Sequence, residues 1–232
     1  MPDPLKGFTP QAIAWDLDGT ILDSFNIYMA VNRDVAQTLG LDEPSEELAR
    51  KNYHGLLGDS IKAAYGDAFG DTDIDEYIRH FLEKQSDHFI EAEQHLLKDA
   101  VRLSAQAAAK GIPQVIVTNR DHEGRGHGSP RSIVSNTSLV DHIDEIICGD
   151  EGKGFRKPDP AVLGDLLERW QVDPTKLLVI GDQHVDAQFA LNLNAKAVIV
   201  CRDGPEFMHS HLLDDGWQDH VAVVASLDEV KL

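Results

Sequence analysis

The segment Ala12-Ile13-Ala14-Trp15-Asp16-Leu17-Asp18-Gly19-Thr20 sets the terms for the rest of the chain. Four apolar residues lead into two aspartates one residue apart, then a glycine and a threonine, and Ile21-Leu22-Asp23-Ser24 follows. A short apolar run bounded by polar residues predicts a buried strand, here Ala12 to Leu17. Two carboxylates at this spacing raise each other's proton affinity. A hard cation with a taste for oxygen ligands, such as magnesium, relieves the repulsion. A carboxylate held beside that ion can attack phosphorus and carry the phosphoryl group covalently. The segment therefore points to phosphoryl-transfer chemistry at the carboxyl end of a strand.

Outward from this segment, short apolar runs alternate with amphipathic ones. Further strands are predicted at Gln114 to Thr118, Glu145 to Cys148, Leu177 to Ile180, Ala197 to Val200 and Val221 to Val224. Helices are predicted around Asp99 to Lys110, Pro160 to Trp170, Asp186 to Leu193 and Glu206 to Leu213. Buried strands separated by helices imply an α/β fold, a Rossmann-like parallel sheet covered by helices on both faces. Ligands of such sheets bind outside the carboxyl ends of the strands, where Asp16, Thr118 and Asp182 all fall.

The alternation fails between Ser24 and about Leu97, where only helical patterns occur. Ser24 is placed to cap a helix through Ile27, Val31, Val35 and Leu39 that stops at Gly40. A second helix follows Ser45 and ends near Gly55, and a third covers Asp75 to about Glu93. The expected organisation is an α/β core of residues 1–23 and 98–232 with an inserted all-helical cap domain, 24–97, able to serve as a lid. One core stretch is irregular: His122-Glu123-Gly124-Arg125-Gly126-His127-Gly128-Ser129-Pro130. His122 and His127 lack the neighbouring cysteines or carboxylates that a metal site at this spacing needs.

The chain has 232 residues, enough for a substantial core. Its formal net charge of -19 argues against nucleic acid or an anionic membrane as a partner. The same charge leaves room for a small phosphorylated metabolite at a locally cationic site. No apolar stretch is long enough to span a bilayer. Cys148 and Cys201 lie in apolar runs and read as buried thiols in a reducing compartment, so the cytoplasm is the expected location, with the chain a monomer or homodimer.

Four motifs in order resemble the haloacid dehalogenase superfamily, in particular its phosphoglycolate phosphatase-like members with a helical cap. They are Asp16-Leu17-Asp18-Gly19-Thr20, then Thr118-Asn119, then Lys157 within Arg156-Lys157-Pro158-Asp159-Pro160, then Gly181-Asp182 followed by Asp186. The resemblance implies Asp16 as nucleophile and magnesium ligand. It implies Asp18 as general acid and base, binding the metal through its backbone carbonyl. Thr118 and the Asn119 amide would hold phosphoryl oxygens, Lys157 would supply positive charge, and Asp182 would complete the Mg2+ shell. Asp186 would hold a metal-bound water or orient Lys157. Family members that cleave carbon–halogen or carbon–phosphorus bonds lack an acid at position 18, so Asp18 favours phosphate esters. In the cap, His54 and Asp59 are candidate substrate contacts. A magnesium-dependent phosphatase acting through an aspartyl-phosphate is expected, with a sugar phosphomutase of the same superfamily as the alternative. A phosphorylatable receiver module is the reading from another class, but such a module has no helical insert and no use for an acid at position 18.

Overall fold

β1 (Ala12–Trp15) is buried along its whole length. Its side chains alternate between two cores, as the two-residue period of a strand requires. Ile13 and Trp15 enter one core with Ala100, Leu103 and Ala107 of helix α5 (Lys98–Ala109). Ala12 and Ala14 enter the other with Ala187, Phe189 and Ala190 of helix α8 (His184–Asn192). Trp15 is fully buried, and its indole N–H donates to the Gln114 side-chain oxygen at 2.9 Å. Truncation of such a residue costs about 3–5 kcal/mol.

The computed structural model describes residues 5–53, 57–123, 125–151, 154–202 and 217–232. Its sheet has six strands in the order β3-β2-β1-β4-β5-β6, and every pair is parallel. The remaining strands are β2 (Gln114–Val117), β3 (Glu145–Ile147), β4 (Leu177–Gly181), β5 (Lys196–Val200) and β6 (Val221–Val224). Strand order reverses between β1 and β4, which makes a crevice at their carboxyl ends. Trp15 registers with Ile116 on β2 and with Ile180 on β4. Residues just past these three strands therefore share one edge.

Between β1 and β2 the chain forms α1 (Ser24–Leu39), α2 (Glu46–Asn52), α3 (Leu57–Tyr65) and α4 (Ile74–His88). α1 and α4 are joined by a buried polar relay. The Tyr77 hydroxyl donates to Asn32 Oδ1 at 2.9 Å, and the Asn32 amide donates to the Tyr28 carbonyl at 2.7 Å. The two connections to the sheet lie side by side: Asp23 N–H donates to His95 O at 2.9 Å and Leu97 N–H to Ile21 O at 2.8 Å. Core helices α6 (Pro130–Ser135) and α7 (Leu166–Trp170) complete the set among the described residues.

Several element boundaries differ from expectation. Asp23, not Ser24, is the N-cap of α1, and Ser24 is its first helical residue. α3 is an additional helix between the second and third predicted ones. α4 stops at His88, because the Phe89 N–H turns back to Ser86 O and Ile90 is left 63% exposed. The helix expected over Pro160 to Trp170 is split by Gly164, whose φ of 53° separates a 3-10 turn (Pro160–Leu163) from α7. The helix expected over Glu206 to Leu213 lies outside the described residues. Among the described residues, no helix is long and apolar enough to cross a membrane.

Candidate active site

Asp16 follows β1 directly, and its N–H donates to Ile180 O at 2.8 Å, the last bond of the ladder to β4. Its carboxylate is buried against the Lys157 ammonium, with Nζ to Oδ1 at 2.5 Å. The same ammonium lies 2.6 Å from Asp186 Oδ1 in the first turn of α8. Lys157 is fixed from behind by Asn119, whose Oδ1 accepts from Lys157 N–H at 2.9 Å and whose Nδ2 donates to Lys157 O at 3.1 Å. Asn119 thus acts here through its side chain, as a brace for the lysine loop.

Asp182 follows β4. Its Oδ2 accepts from the Gln183 amide at 2.8 Å, while its Oδ1 is buried without a hydrogen-bond partner. Oxygens of Asp16, Asp182 and Asp186 lie within 4.8 Å of one another. Two glycines let these groups approach. Gly19 has a φ of 80°, and a Cβ there would overlap the Asp182 carboxylate. A Cβ on Gly181 would overlap the Asp186 carboxylate in the same way.

Electrostatics follow from this crowding. Burial pushes the Asp16 carboxyl up to about 7; Asp186 and Asp18 add to the rise, and Lys157 opposes it. Asp182 is raised well above the usual carboxylate range by burial and by Asp16 and Asp186. Lys157 behaves oppositely: burial disfavours its charge, but Asp16 and Asp186 outweigh that and raise it. Fully ionised, three carboxylates against one ammonium would leave two negative charges in a buried space, and burial together with that excess pushes Asp16 and Asp182 upward. A divalent cation would cancel the two charges, and the orphaned Asp182 Oδ1 offers it a ligand atom. The donor set therefore fits a divalent metal.

Asp18 faces a different partner. Arg120 holds both its carboxylate oxygens, with Nη2 on Oδ1 and Nε 2.9 Å from Oδ2. Burial works against the charged form, but the Arg120 guanidinium wins and holds the Asp18 carboxyl below its ordinary value. Thr118, 2% exposed, accepts from Arg120 N–H through Oγ1 at 3.0 Å. Arg120 went unnoticed in the sequence although it directly follows Thr118-Asn119. The signal available was the need of a half-buried Asp18 for a cation.

These residues open into a cleft of about 800 Å³ between the sheet edge and the helical insertion. Tyr28, Tyr53, Leu57 and Phe81 form its apolar wall, and Gln85 and Ser60 are polar points on the same side. Of the expected cap contacts, Asp59 is a correction: it is exposed and does not line the cleft, because α3 turns Leu57 and Ser60 inward instead. His54 lies outside the described residues. Asp16, Asp18, Thr118, Asn119, Lys157 and Asp186 all line the cleft, and Asp182 stands beside it against Asp16. Asp150 accepts the N–H groups of His122 and Glu123 at 2.8 and 2.9 Å, anchoring the start of the glycine-rich loop.

A parallel sheet with a cluster of aspartates and one lysine at its switch point defines a doubly wound α/β protein whose site lies at the carboxyl ends of the strands. The chain belongs to the haloacid dehalogenase-like hydrolase family, whose model matches residues 13–200. It is 29% identical over 198 residues to a phosphoglycolate phosphatase of Rhodospirillum rubrum, covering 82% of this chain and 79% of that protein. It is 22% identical over 197 residues to an N-acetylmuramic acid 6-phosphate phosphatase of Pseudomonas aeruginosa, covering 84% of each. In fold it is similar to a haloacid dehalogenase-type hydrolase of Entamoeba histolytica, with a TM-score of 0.71, 17% identity and coverage of 95% of both chains.

Proposed function

We propose that this chain is a magnesium-dependent phosphatase that hydrolyses a small phosphorylated metabolite, as the phosphoglycolate phosphatases do, through an aspartyl-phosphate on Asp16. The observation that carries the reading is the buried Asp16 carboxylate held 2.5 Å from Lys157 beside the unpartnered Asp182 oxygen. An Asp16 oxygen attacks phosphorus and the ester P–O bond breaks. Asp18 gives the departing alkoxide its proton. Water then attacks the same phosphorus, Asp18 takes the proton, and phosphate leaves with Asp16 restored. Lys157 supplies fixed positive charge beside the nucleophile and the transferring group. Asp16, Asp182 and the Asp18 carbonyl would hold Mg2+, which when bound neutralises charge on the nucleophile and the phosphoryl oxygens. Asp186, 2.6 Å from Lys157, is the positioning residue for that lysine.

For acid duty Asp18 must leave Arg120, which holds it ionised, take up a proton from solvent and turn to the leaving oxygen, a general acid–base contribution of about 10²–10⁴-fold. The helical insertion, 24–97, acts as the cap, closing over Asp16 to exclude water during attack and opening to admit it afterwards. The direct test is turnover of para-nitrophenyl phosphate with magnesium, together with acid-trapping of a phosphorylated protein. No turnover at any magnesium concentration would overturn the reading.

A further inference from the structure

The glycine-rich loop after Asn119 is the part of the core that the phosphotransfer chemistry does not use. It is docked on the cap helix α4: His127 N–H donates to Ser86 Oγ at 3.1 Å, and Arg125 Nη1 donates to Gln85 Oε1 at 3.0 Å. Gly126 and Gly128 are required for that approach. A Cβ on Gly126 would lie 2.5 Å from Ser86 Oγ, and one on Gly128 would lie 2.8 Å from Phe89 Cδ2. The result is an arginine delivered by the core into the cleft it shares with Asp18.

Arg125 differs from its cationic neighbours in having a neutral partner. Arg120 is paired with Asp18, Arg156 with Asp121 and Lys157 with Asp16 and Asp186. Among the described residues, no carboxylate lies within ion-pair distance of Arg125, which rests on the Gln85 amide oxygen. A half-buried guanidinium without an anion is a costly arrangement, and a bound carboxylate or phosphate would satisfy it. Burial first, and Arg120 next, hold its pKa below the usual arginine range, while its charge reaches Asp18 and helps to lower that carboxyl. Arg120, which holds Asp18, also donates to Gly128 O of the same loop at 3.0 Å, so the loop and its Arg125 meet the cleft on the side of Asp18, where the leaving oxygen departs.

We infer that Arg125 is a specificity-determining residue: it binds an anionic group carried by the leaving alcohol of the substrate. The inference rests on the phosphatase reading and adds to it. The substrate carries two anionic ends, a phosphoryl group on Asp16 and Lys157 and a carboxylate or second phosphate on Arg125. The selecting cation comes from the core loop, and it is in place only while that loop is docked on α4.

The test compares four esters with the purified full chain and magnesium: 2-phosphoglycolate, a short alkanediol bisphosphate, ethyl phosphate and para-nitrophenyl phosphate. The intact protein is expected to favour at least one dianionic-ended ester over ethyl phosphate in kcat/KM. The first two substrates distinguish carboxylate from phosphate as the second anion. In Arg125→Gln, which keeps a hydrogen-bonding side chain toward Gln85, that preference is expected to fall about tenfold or more, mainly through KM. Arg125→Lys should restore part of it. Equal losses on charged and neutral esters would overturn the inference and make Arg125 a structural tie. An intact preference in Arg125→Gln, or none in the unaltered protein, would also overturn it. Hydrolysis of para-nitrophenyl phosphate by the unaltered protein keeps the phosphatase reading standing in each of those cases, and its absence sinks that reading separately.

Discussion

The sheet edge and the seam between loop and cap solve opposite problems. At the edge, residues remote in sequence are brought together by strand register, and their positions are enforced by backbone ladders and ion pairs. Asp16 and Lys157 are separated by 141 positions yet meet at 2.5 Å. At the seam, neighbouring surfaces meet through glycines, one serine and one glutamine, with contacts such as His127 N–H to Ser86 Oγ at 3.1 Å. The edge is buried and overdetermined, as groups that must not move during chemistry require. The seam rests on contacts to side chains such as Ser86 and Gln85, which suits the proposed role of a surface that parts and closes. On the proposed reading, chemistry and selection fall to regions of different mechanical character.

The largest effect should come from the edge. Asp16→Asn removes the nucleophile and one negative charge of the cluster, while Lys157 keeps Asp186. Turnover of para-nitrophenyl phosphate is expected to fall by about a thousandfold or more with the circular dichroism spectrum unchanged. Retention of more than about a tenth of the activity would move the nucleophile elsewhere and dissolve the contrast between the two regions.

What was legible in the sequence follows the same division. Asp16, Thr118 and Asp182 could be grouped because strand ends in a parallel sheet converge, and Asp18 because two aspartates one residue apart call for a cation, whereas Lys157, in a loop ten residues past β3, was reached only through the family resemblance. The sheet was legible to within a residue or two, since apolar runs of four or five residues leave little choice of element. Arg120 was missed because an arginine after Thr118-Asn119 carries no local mark; only its three-dimensional pairing with Asp18 gives it meaning. Asp59 does not line the cleft because α3 buries Ser60, Ile61, Ala64 and Tyr65 and leaves Asp59 exposed, a phase fixed by packing that the loop-like sequence around it does not reveal. The glycine-rich loop has no periodicity to read. Gly126 and Gly128 make sense only against Ser86 and Phe89, some forty positions earlier.

A second substitution sharpens the contrast with a control from the same residue type. Gly19→Ala forces a Cβ onto the Asp182 carboxylate at a backbone φ of 80°. Displacing a metal-facing carboxylate typically costs about 10–100-fold in metal affinity. The magnesium concentration giving half-maximal rate should rise by that order. Gly40→Ala has a comparable φ of 68° but open space around its Cβ. It should lower thermal stability by about 1–2 kcal/mol and leave the magnesium requirement unaltered. Equal magnesium dependence in the two variants would show that strain alone, and not the Asp182 contact, explains Gly19.

A smaller and different effect is expected at the seam. Gly128→Ala places a methyl group 2.8 Å from Phe89 Cδ2 and pushes the loop away from α4. Overpacking of this kind costs about 1–3 kcal/mol, and here it acts on cap docking. Steady-state kinetics with phosphorylated metabolites should show KM raised by about fivefold to tenfold and kcat changed less. A fall in kcat as large as that of Asp16→Asn would place this loop within the chemistry and erase the division.

The smallest effect concerns the point where the seam is anchored to the sheet. Asp99, at the start of α5 just past the return connection, accepts from Arg202 Nη1 at 2.6 Å, Leu227 N–H at 2.9 Å and Ser226 Oγ at 3.1 Å. Arg202 also reaches the Thr20 carbonyl at 3.3 Å, so the group ties the insertion's root to the first motif. Burial would raise the Asp99 carboxyl, but Arg202 and the donors from Leu227 and Ser226 prevail and lower it. A carboxyl lower in the folded than in the unfolded state stabilises the fold fully above its unfolded pKa, about 3.9. That contribution disappears as pH falls through the folded value. Asp99→Asn should therefore be less stable than the unaltered protein at pH 6 by about 1 kcal/mol, or about 2–4 °C in melting temperature. The gap should close steadily below about pH 4. A gap that stays constant down to the acid transition would mean that hydrogen-bond geometry alone, without the charge, holds this anchor.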